Sequence, residues 1–455
     1  MQPAAAAMPG TGPELDRLAS KPLDFPAASR IGVFLFCIYV VIWYLQMGNR
    51  IAFLGAIRFE FIFAVILSLL ALIATSKERL GSPLYGYILL LFLAMAVQLP
   101  FSHAPGISWT IFLDRVVKFA FMGAFIVMFV RSPSALTLFL GAFLLACMKM
   151  GQEGLFGKLT GSMMWQNQGT MRLHGSTALY RHPNSFSGMA LGTLPFVLAL
   201  WPIANRTVRI LLFILFVLSL NIIIFTGSRT GYVGFTILLL YAFWKSANKM
   251  RYLLIGAAAV LLALPMVPHE YFERFESIFT QQEKEGQSAE TRIQILKDGV
   301  AVLAKNPLGV GLAAFPQVRM ETFGRFQDSH NLYLQVALDL GIQGLIIFLL
   351  LLYRAIRLLK SVSADLGGQI ARVGALVDNR SPPKKDEPIR RHLDNLLLMR
   401  ATADAVMLFL VVRLALGLFG HDLYEIYWWF ALGLIIALAN MNKTASQQTA
   451  RLVGS

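Results

Sequence analysis

The sequence predicts an all-α polytopic membrane protein with about twelve transmembrane helices. The mean hydropathy is +0.62. Of the 455 residues, 56% are hydrophobic and only 14% are charged. The hydrophobic residues are grouped in runs long enough to cross a bilayer, whereas a soluble domain of this length would show helices and strands with alternating polar faces. These three observations together determine the fold class.

The apolar runs also predict an orientation in the membrane. With the N-terminus in the cytoplasm, a large basic cluster within residues 354–391 lies inside, and the short outer loops 101–106 and 420–422 contain no Lys or Arg. That distribution is the positive-inside pattern, so we expect both termini to be cytoplasmic. The runs lie at 31–47, 61–75, 84–99, 107–130, 135–148, 185–201, 208–225, 230–244, 252–267, 331–353, 405–419 and 423–438.

The runs divide the chain into seven parts. We expect a disordered N-terminal tail (1–30), helices one to nine (31–267) with an outer segment at 151–183, an outer helical loop (268–329), helix ten (330–353), a basic cytoplasmic loop with a mobile linker (354–400), two last helices (401–441) and a C-terminal tail (442–455).

The outer loop 268–329 is expected to form two amphipathic helices. The first, at 270–281, has the pattern of a helix lying on the membrane surface. The second begins at Ser288, and Ile293, Leu296, Val300 and Leu303 are expected to form its buried stripe.

Several classes of function are excluded by what the chain contains. The net charge of +15 is spread over short loops, which argues against nucleic acid as a partner. The two cysteines, Cys37 and Cys147, lie in apolar runs, so neither a disulfide framework nor a thiolate metal site is expected. There is no Walker loop, no HExxH and no carboxylate cluster for a divalent metal. We therefore expect no metal and no cofactor, and the substrate must supply the energy of any reaction, as a lipid diphosphate would.

The segment 325–335 contains the candidate general base. Asp328 or Ser329 is a suitable helix N-cap, which would place His330 in the first turn of the tenth span. The positive end of a helix dipole disfavours imidazolium and favours a nearby anion. His330 is thus predicted to be a base beside an anion site. The alternative is a structural histidine that is paired with Asp328.

Three arginines on the outer face are candidates for binding that anion. Arg181 precedes the sixth span, Arg229 lies in the turn between the seventh and eighth, and Arg292 lies near the start of the second loop helix. A guanidinium stays charged and binds two phosphate oxygens at once, so three of them would hold a diphosphate without a metal. Each arginine also has a structural alternative: interfacial anchor, helix cap or solvated ion pair, respectively.

Other polar residues on the outer face are weaker candidates. Asp328 would orient His330, and His421 belongs to the turn before the last span. The remaining members of this weaker set are Arg172, His174, His182, Arg325 and Asn331.

Several short motifs, taken in their order, resemble the bacterial O-antigen ligases within the wider ligase and polymerase group. They are Arg-His-Pro-Asn at 181–184, Gly-Ser-Arg at 227–229, Thr-Arg-Ile at 291–293, Asn-Pro-Leu-Gly-Val-Gly at 306–311, and Ser-His-Asn-Leu-Tyr-Leu-Gln at 329–335 running into Gly-Ile-Gln-Gly at 341–344. The resemblance covers about residues 181–348, plus the overall helix count.

The resemblance implies a metal-independent glycosyltransferase of the bacterial inner membrane with a GT-C-like helical bundle. Such an enzyme moves O-antigen from undecaprenyl diphosphate to a sugar of lipid A–core on the periplasmic face. By this resemblance His330 would deprotonate the acceptor hydroxyl, and Arg181, Arg229 and Arg292 would bind the diphosphate. Direct attack on an α-linked donor would invert the anomeric configuration.

Three alternatives stay open at this stage. O-antigen polymerases and protein O-oligosaccharyltransferases share the donor but use other acceptors, and an appended soluble domain for a protein acceptor is not evident in the sequence. A lipid or drug exporter would show charges or broken helices near the middle of the bilayer.

Overall fold

The computed structural model describes residue 25 and residues 28–75, 80–167, 170–245, 249–250, 288–378, 387–420 and 423–453. The expected tail 1–30 lies mostly outside these residues. The ninth apolar run (252–267), the surface helix at 270–281 and His421 lie wholly outside them.

The described chain is almost entirely helical. Its helices are α1 (Arg30–Leu45), α2 (Met47–Arg50), α3 (Ala52–Ala56), α4 (Phe59–Thr75), α5 (Tyr85–Gln98), α6 (Pro105–Ile111), α7 (Lys118–Phe129), α8 (Pro133–Thr160), α9 (Pro183–Leu200), α10 (Arg206–Phe225), α11 (Arg229–Lys245), α12 (Ser288–Lys305), α13 (Phe315–Phe323), α14 (Leu332–Asp378), α15 (Glu387–Leu416) and α16 (Ile426–Val453). A π-helical segment, Phe112–Val117, joins α6 to α7, and Ala178–Tyr180 form one 3-10 turn.

Every apolar run within the described residues coincides with a helix. Four described segments are long and apolar enough to cross a membrane: Pro133–Thr160, Arg206–Phe225, Leu332–Val377 and Pro388–Leu416. Three shorter apolar helices accompany them, at Arg30–Leu45, Phe59–Ile73 and Tyr85–Gln98. The chain is therefore a helical membrane protein, and the number of twelve spans stays a prediction.

The core of the bundle is built from aromatic side chains and small residues. Phe36 stacks on Phe129 and Phe139, and Phe430 of α16 contacts Phe143 at a ring distance of 4.8 Å. A Cβ on Gly123 would lie only 2.8 Å from the Trp429 carbonyl oxygen, so α7 and α16 touch through their backbones. Small residues permit such close contacts between membrane helices.

The outer segment expected at 151–183 is not an irregular loop. α8 continues through Thr160, and a short antiparallel hairpin follows, formed by β1 (Met164–Asn167) and β2 (Thr170–Leu173). The helix extends past the apolar run because its last turns still bury small faces. Gly154 packs on Phe186, and Gly157 packs on Met163. This hairpin is the exception to the all-α expectation within the described residues.

The loop expected at 354–400 and the tail expected at 442–455 are largely helical, which corrects both boundaries. α14 continues to Asp378, α15 begins at Glu387, and α16 reaches Val453. The three helices share a polar core, in which Gln369 Nε2 donates to Asn442 Oδ1 at 2.9 Å and His392 Nε2 lies 2.9 Å from Thr449 Oγ1. A polar composition resembles that of a linker, but here the polar groups satisfy one another between helices.

Candidate functional site

His330 lies before α14 rather than in its first turn. Its backbone has φ 47°, a left-handed conformation that is uncommon for a residue with a Cβ. The side chain is exposed. Asn331 is the N-cap, since its Oδ1 accepts the N–H of Leu334 at 3.0 Å. The prediction that Asp328 or Ser329 caps the helix is therefore wrong, and His330 lies outside the first turn on which the dipole argument depends.

Contacts with the end of α15 explain why the helix starts at this point. The Leu332 N–H donates to Gly417 O at 2.7 Å, and Asn331 Nδ2 donates to Leu418 O at 3.2 Å. The next residue, Tyr333, donates from Oη to Leu414 O at 2.8 Å, one turn earlier along α15. These bonds use carbonyls at the C-terminal end of α15 that have no partner within their own helix, so they fix the start of α14 against that end.

Arg172, only a weak candidate from the sequence, connects the segments that carry Arg181 and Arg229. It is buried on β2, with Nε donating to Thr226 O at 2.7 Å and Nη2 donating to Asn184 Oδ1 at 2.7 Å. Thr226 lies three residues before Arg229, and Asn184 lies three residues after Arg181. The structure thus brings the entry of α9 and the α10–α11 turn together.

Arg181 and Arg229 differ in exposure. Arg181 is exposed, whereas Arg229 is half-buried and is the first residue of α11. Gly227, at φ 55°, lets the chain turn after α10, and Ser228 Oγ accepts the Gly231 N–H at 3.2 Å. Arg229 therefore begins a new helix.

A buried arginine that sequence reasoning missed joins this region to the start of α14. Arg413 Nη2 donates to Gly188 O at 2.5 Å, and its guanidinium carbon lies 3.2 Å from the centre of the Tyr427 ring. The Arg413 carbonyl in turn accepts the N–H of Gly417, the residue that binds Leu332. The sequence did contain a signal, because a charged residue inside an apolar span is a functional-site candidate by default.

Close packing at Gly234 completes the arrangement. A Cβ at this position in α11 would lie 2.8 Å from Leu191 of α9 and 3.1 Å from Leu416 of α15. The starts of α9, α11 and α14 and the end of α15 are therefore at one end of the bundle, called here the His330 end. Arg181, Arg229 and His330 all lie at this end.

Arg292 lies on a neighbouring pair of helices, α12 and α13. It is exposed and lies two turns, roughly 10 Å, before Gly299 along α12. A Cβ on Gly299 would lie 2.9 Å from Leu334, so α12 packs directly on the first turns of α14.

The buried face of α12 differs from the predicted stripe. Ile295, Asp298 and Val302 are buried, whereas Ile293, Leu296 and Val300 are each more than half exposed. Leu303, the fourth member of the predicted stripe, is partly buried. The prediction failed because it treated a charged residue as solvent-facing. Asp298 is buried against Arg319 of α13, and an apolar-stripe argument cannot anticipate that counterion.

Asp298 is the centre of a polar cluster that includes Arg325, five residues before His330. Its Oδ2 accepts Arg319 Nε at 2.9 Å and Arg325 Nη1 at 3.3 Å, and its Oδ1 accepts Gln294 Nε2 at 2.7 Å. Burial raises the pKa of the carboxyl, but the hydrogen bonds from Gln294 and Arg319 and the charges of both arginines outweigh burial, so the pKa lies below its ordinary value. The carboxylate therefore stays ionised.

The long helix α14 is broken at Gly341, where φ is 76°. The loop 307–311 fills the break with backbone hydrogen bonds. Val310 N–H donates to Leu338 O at 2.8 Å, and Gly311 N–H donates to Asp339 O at 3.2 Å. After the break, Ile342 N–H donates to Pro307 O at 3.0 Å. We call residues 307–311 and 338–342 the backbone joint.

Asp339, in the joint, is a buried carboxyl group that the sequence analysis did not single out. Its Oδ2 accepts Tyr424 Oη at 2.6 Å. Asp328, expected to orient His330, lies near enough to Tyr424 to act on it electrostatically.

The remaining weaker candidates have local roles in the structure. His182 is exposed and caps α9, with Nδ1 accepting the Asn184 N–H at 3.2 Å. His174 is half-buried, with Nδ1 3.0 Å from Gly175 O. Arg325 binds Asp298, as described above. Within the described part of the chain, no three His, Cys, Asp or Glu side chains are grouped so that they could hold a metal ion.

Comparison with known proteins gives the decisive observation. A family model described as O-Antigen ligase matches residues 214–349. This stretch is therefore similar to the O-antigen ligases. The match runs from within α10 to within α14 and includes Arg229, Arg292 and His330, whereas Arg181 and the first nine helices lie outside it. A search of curated proteins found no match to the chain.

The match confirms the resemblance to O-antigen ligases in the middle of the chain. The backbone joint lies wholly within the matched residues, as do the α10–α11 turn and the start of α14. The family segment therefore supplies much of the His330 end and the buried Asp298 cluster beside it.

Proposed function

We propose that this protein is an O-antigen ligase of the bacterial inner membrane. It would transfer polysaccharide from undecaprenyl diphosphate to a sugar of lipid A–core on the periplasmic face. One observation supports this most strongly: His330, Arg181 and Arg229 share one end of the helical bundle, although they are far apart in sequence. Membrane lipids would surround the bundle, and the donor and acceptor lipids would reach the site from them.

The reaction needs a proton acceptor and a group that stabilises the leaving diphosphate. His330 would take the proton of the acceptor hydroxyl as its oxygen forms a bond to the anomeric carbon. The bond from that carbon to the diphosphate oxygen would break, and undecaprenyl diphosphate would leave. General-base assistance of this kind contributes roughly a hundred- to ten-thousand-fold in rate.

Arg181, Arg229 and Arg292 would bind the diphosphate and balance its growing negative charge. Arg172 supports the proposal because it fixes the two segments that carry Arg181 and Arg229. Direct displacement on an α-linked donor gives a β-linked product, so the proposal includes inversion. The same proposal includes a GT-C-like bundle and a reaction that needs no metal.

The exporter alternative has one observation in its favour, which is the break in α14 at Gly341 beside the buried Asp339. Broken membrane helices often line transport sites. Here, however, loop 307–311 donates its N–H groups directly into the break. The freed carbonyls therefore bind protein backbone, which favours an architectural role for the break.

Reconstitution distinguishes these functions. The purified chain in nanodiscs is incubated with a lipid-diphosphate-linked glycan and lipid A–core, without nucleotide or metal. Glycan joined to lipid A–core supports the ligase. Lengthening of the donor glycan would instead indicate a polymerase. Glycan joined to an added pilin peptide would indicate a protein oligosaccharyltransferase. Absence of bond formation with any acceptor would overturn the proposal.

Variants separate the roles of the base and of the arginines. His330→Ala should lose transfer and keep donor binding, whereas Arg181→Gln and Arg229→Gln should weaken donor binding. Arg209→Gln is the matched control. Arg209 donates to the carbonyls of Trp201 and Pro202, and it lies at the end of α10 opposite to Arg229. Equal losses in all four variants would point to general destabilisation.

A further inference from the structure

We propose that Arg319 is a positioning residue that holds the segment bearing His330 in its working conformation. The inference rests on the proposed function, since it assigns His330 the role of base. It goes beyond that function by making the α12–α13 helix pair, and the buried ion pair within it, part of the catalytic machinery.

The first observation is the geometry around the Arg319 guanidinium. Arg319 is completely buried, and Asp298 is 2% exposed. Nε of Arg319 donates to Asp298 Oδ2 at 2.9 Å, and Nη1 donates to Gln327 Oε1 at 2.9 Å. The guanidinium therefore has one edge on a fixed carboxylate and the other on the chain three residues before His330.

The second observation is the conformation of His330. A left-handed backbone at a residue with a Cβ persists only where the surroundings enforce it. After His330, the chain is held by Asn331 and Leu332 on the end of α15. Before His330, the hydrogen bond from Arg319 to Gln327 supplies the nearest attachment, and Arg325 Nη1, which binds Asp298 at 3.3 Å, holds the chain two residues earlier. The strained residue thus lies between two fixed points.

The chemistry of the pair suits a rigid support. A buried ion pair gives little net stability, but loss of one partner is strongly unfavourable, so the Asp298–Arg319 geometry is well defined. The planar guanidinium directs its two donors at fixed angles. A lysine at 319 could bind Asp298, but its single ammonium on a flexible stem would not hold Gln327 in the same way.

The test uses three variants of the full chain in nanodiscs. Arg319→Gln removes the support, and Arg319→Lys keeps the charge beside Asp298. Gln327→Ala removes only the attachment and leaves the buried ion pair intact, so it keeps the test decisive if Arg319→Gln does not fold. Arg209→Gln is again the control for the removal of an arginine, because Arg209 is exposed and its two hydrogen bonds lie at the N-terminal end of α10, away from the His330 end.

The first readout is independent of activity. A spin label is attached at Phe326→Cys, because Phe326 is exposed and precedes Gln327. The native cysteines, Cys37 and Cys147, are replaced by serine so that only this position is labelled. We expect an ordered label in the parent and a mobile one in Arg319→Gln and Gln327→Ala, with Arg319→Lys in between. An equally ordered label in all of them would overturn the proposal.

The second readout is kinetic. Displacement of a catalytic group by about 1 Å can lower the rate about a hundredfold, so kcat should fall by up to about that factor while the donor KM stays unchanged. In the His330→Ala background, Arg319→Gln should not lower the residual transfer rate any further. Additive losses would show that Arg319 does not act through His330. If the parent transfers no glycan, the proposed function fails, and the spin label alone decides whether Arg319 holds the segment.

Discussion

Asn331 Oδ1 accepts the backbone N–H of Leu334 at 3.0 Å, and this bond defines the first turn of α14 directly after His330. The same side chain donates through Nδ2 to Leu418 O at the end of α15. One amide therefore both starts the helix and attaches it to its neighbour.

Asn331→Ala should lower both stability and transfer. Loss of an N-cap costs about 1 kcal/mol, and here it also releases the end of α15. Asn205 provides the control, because it caps α10 through a bond of 2.9 Å to Val208 N–H. Asn205→Ala should lower the thermal midpoint by a similar amount without a loss of transfer per folded molecule. Equal losses of transfer in both variants would contradict a local role for Asn331.

His330→Gly and His330→Ala should differ in stability although both should lose transfer. At φ 47°, glycine is unstrained and alanine is not, so the glycine variant should be more stable by about 1 kcal/mol. Thermal unfolding of the two purified variants measures this difference. If the alanine variant proves as stable as the glycine variant, His330 does not hold the left-handed conformation.

Arg172→Met should destabilise the protein and weaken donor binding together. Hydrogen bonds to a charged group contribute about 1.5–3 kcal/mol each, and the lost bonds include those to Thr226 O and Asn184 Oδ1. Arg181→Met offers the contrast, because Arg181 is exposed. It should weaken donor binding while the thermal midpoint stays unchanged. Unaltered stability of Arg172→Met would remove the structural basis for joining the two segments.

Gly309→Ala should disrupt the protein more than Gly324→Ala. Both glycines have positive φ, 98° and 68°, so each alanine is strained by about 1 kcal/mol. Only at Gly309 would the new Cβ meet backbone atoms, 2.6 Å from Gly341 N and 2.7 Å from Asp339 O; at Gly324 the space is open. The yield of folded protein and its thermal midpoint measure the difference. Similar values for the two variants would argue against a tightly packed joint.

The Asp298 cluster should make stability depend on pH in a defined direction. The pKa of Asp298 is lowered from its ordinary value of 3.8 in the folded protein, so the folded state binds this proton less readily than the unfolded state. The stabilisation is fully present above that value and is lost as the pH falls through the lower folded-state pKa. The difference in thermal midpoint between the parent and Asp298→Asn should therefore shrink as the pH approaches 3. A constant difference would exclude this linkage.

The positions of the helices could be predicted from hydropathy because the apolar runs dictate them. The ends of helices could not. Asp328, Ser329 and Asn331 are all good N-caps, and the choice among them is made by Gly417 and Leu418, which are distant in sequence. Local propensity contains no information about those partners.

The prediction of which face of α12 is buried was wrong for a related reason. The sequence shows Asp298 as a charge, and only the packing of α13 shows its counterion Arg319. In the same way, the Pro-rich stretch 381–388 favours a mobile linker over 361–400, and residues 379–386 lie outside the described part of the chain. The rest of this interval is helical, with polar partners on other helices that local sequence does not show. The sequence does indicate that the candidate base and two of the arginines lie at an end of the bundle, because each is next to a predicted helix start or turn.

The backbone joint has a consequence for how such proteins diverge. Its hydrogen bonds connect peptide groups, so most side chains around it can change without loss of the connection. Direct steric exclusion falls on three of its glycines. Atoms added at Gly309 or Gly341 would collide with the facing segment of the joint, and atoms added at Gly311 would collide with Ser102. The joint can therefore tolerate substitution at most of its other positions without loss of the backbone connection between the two segments.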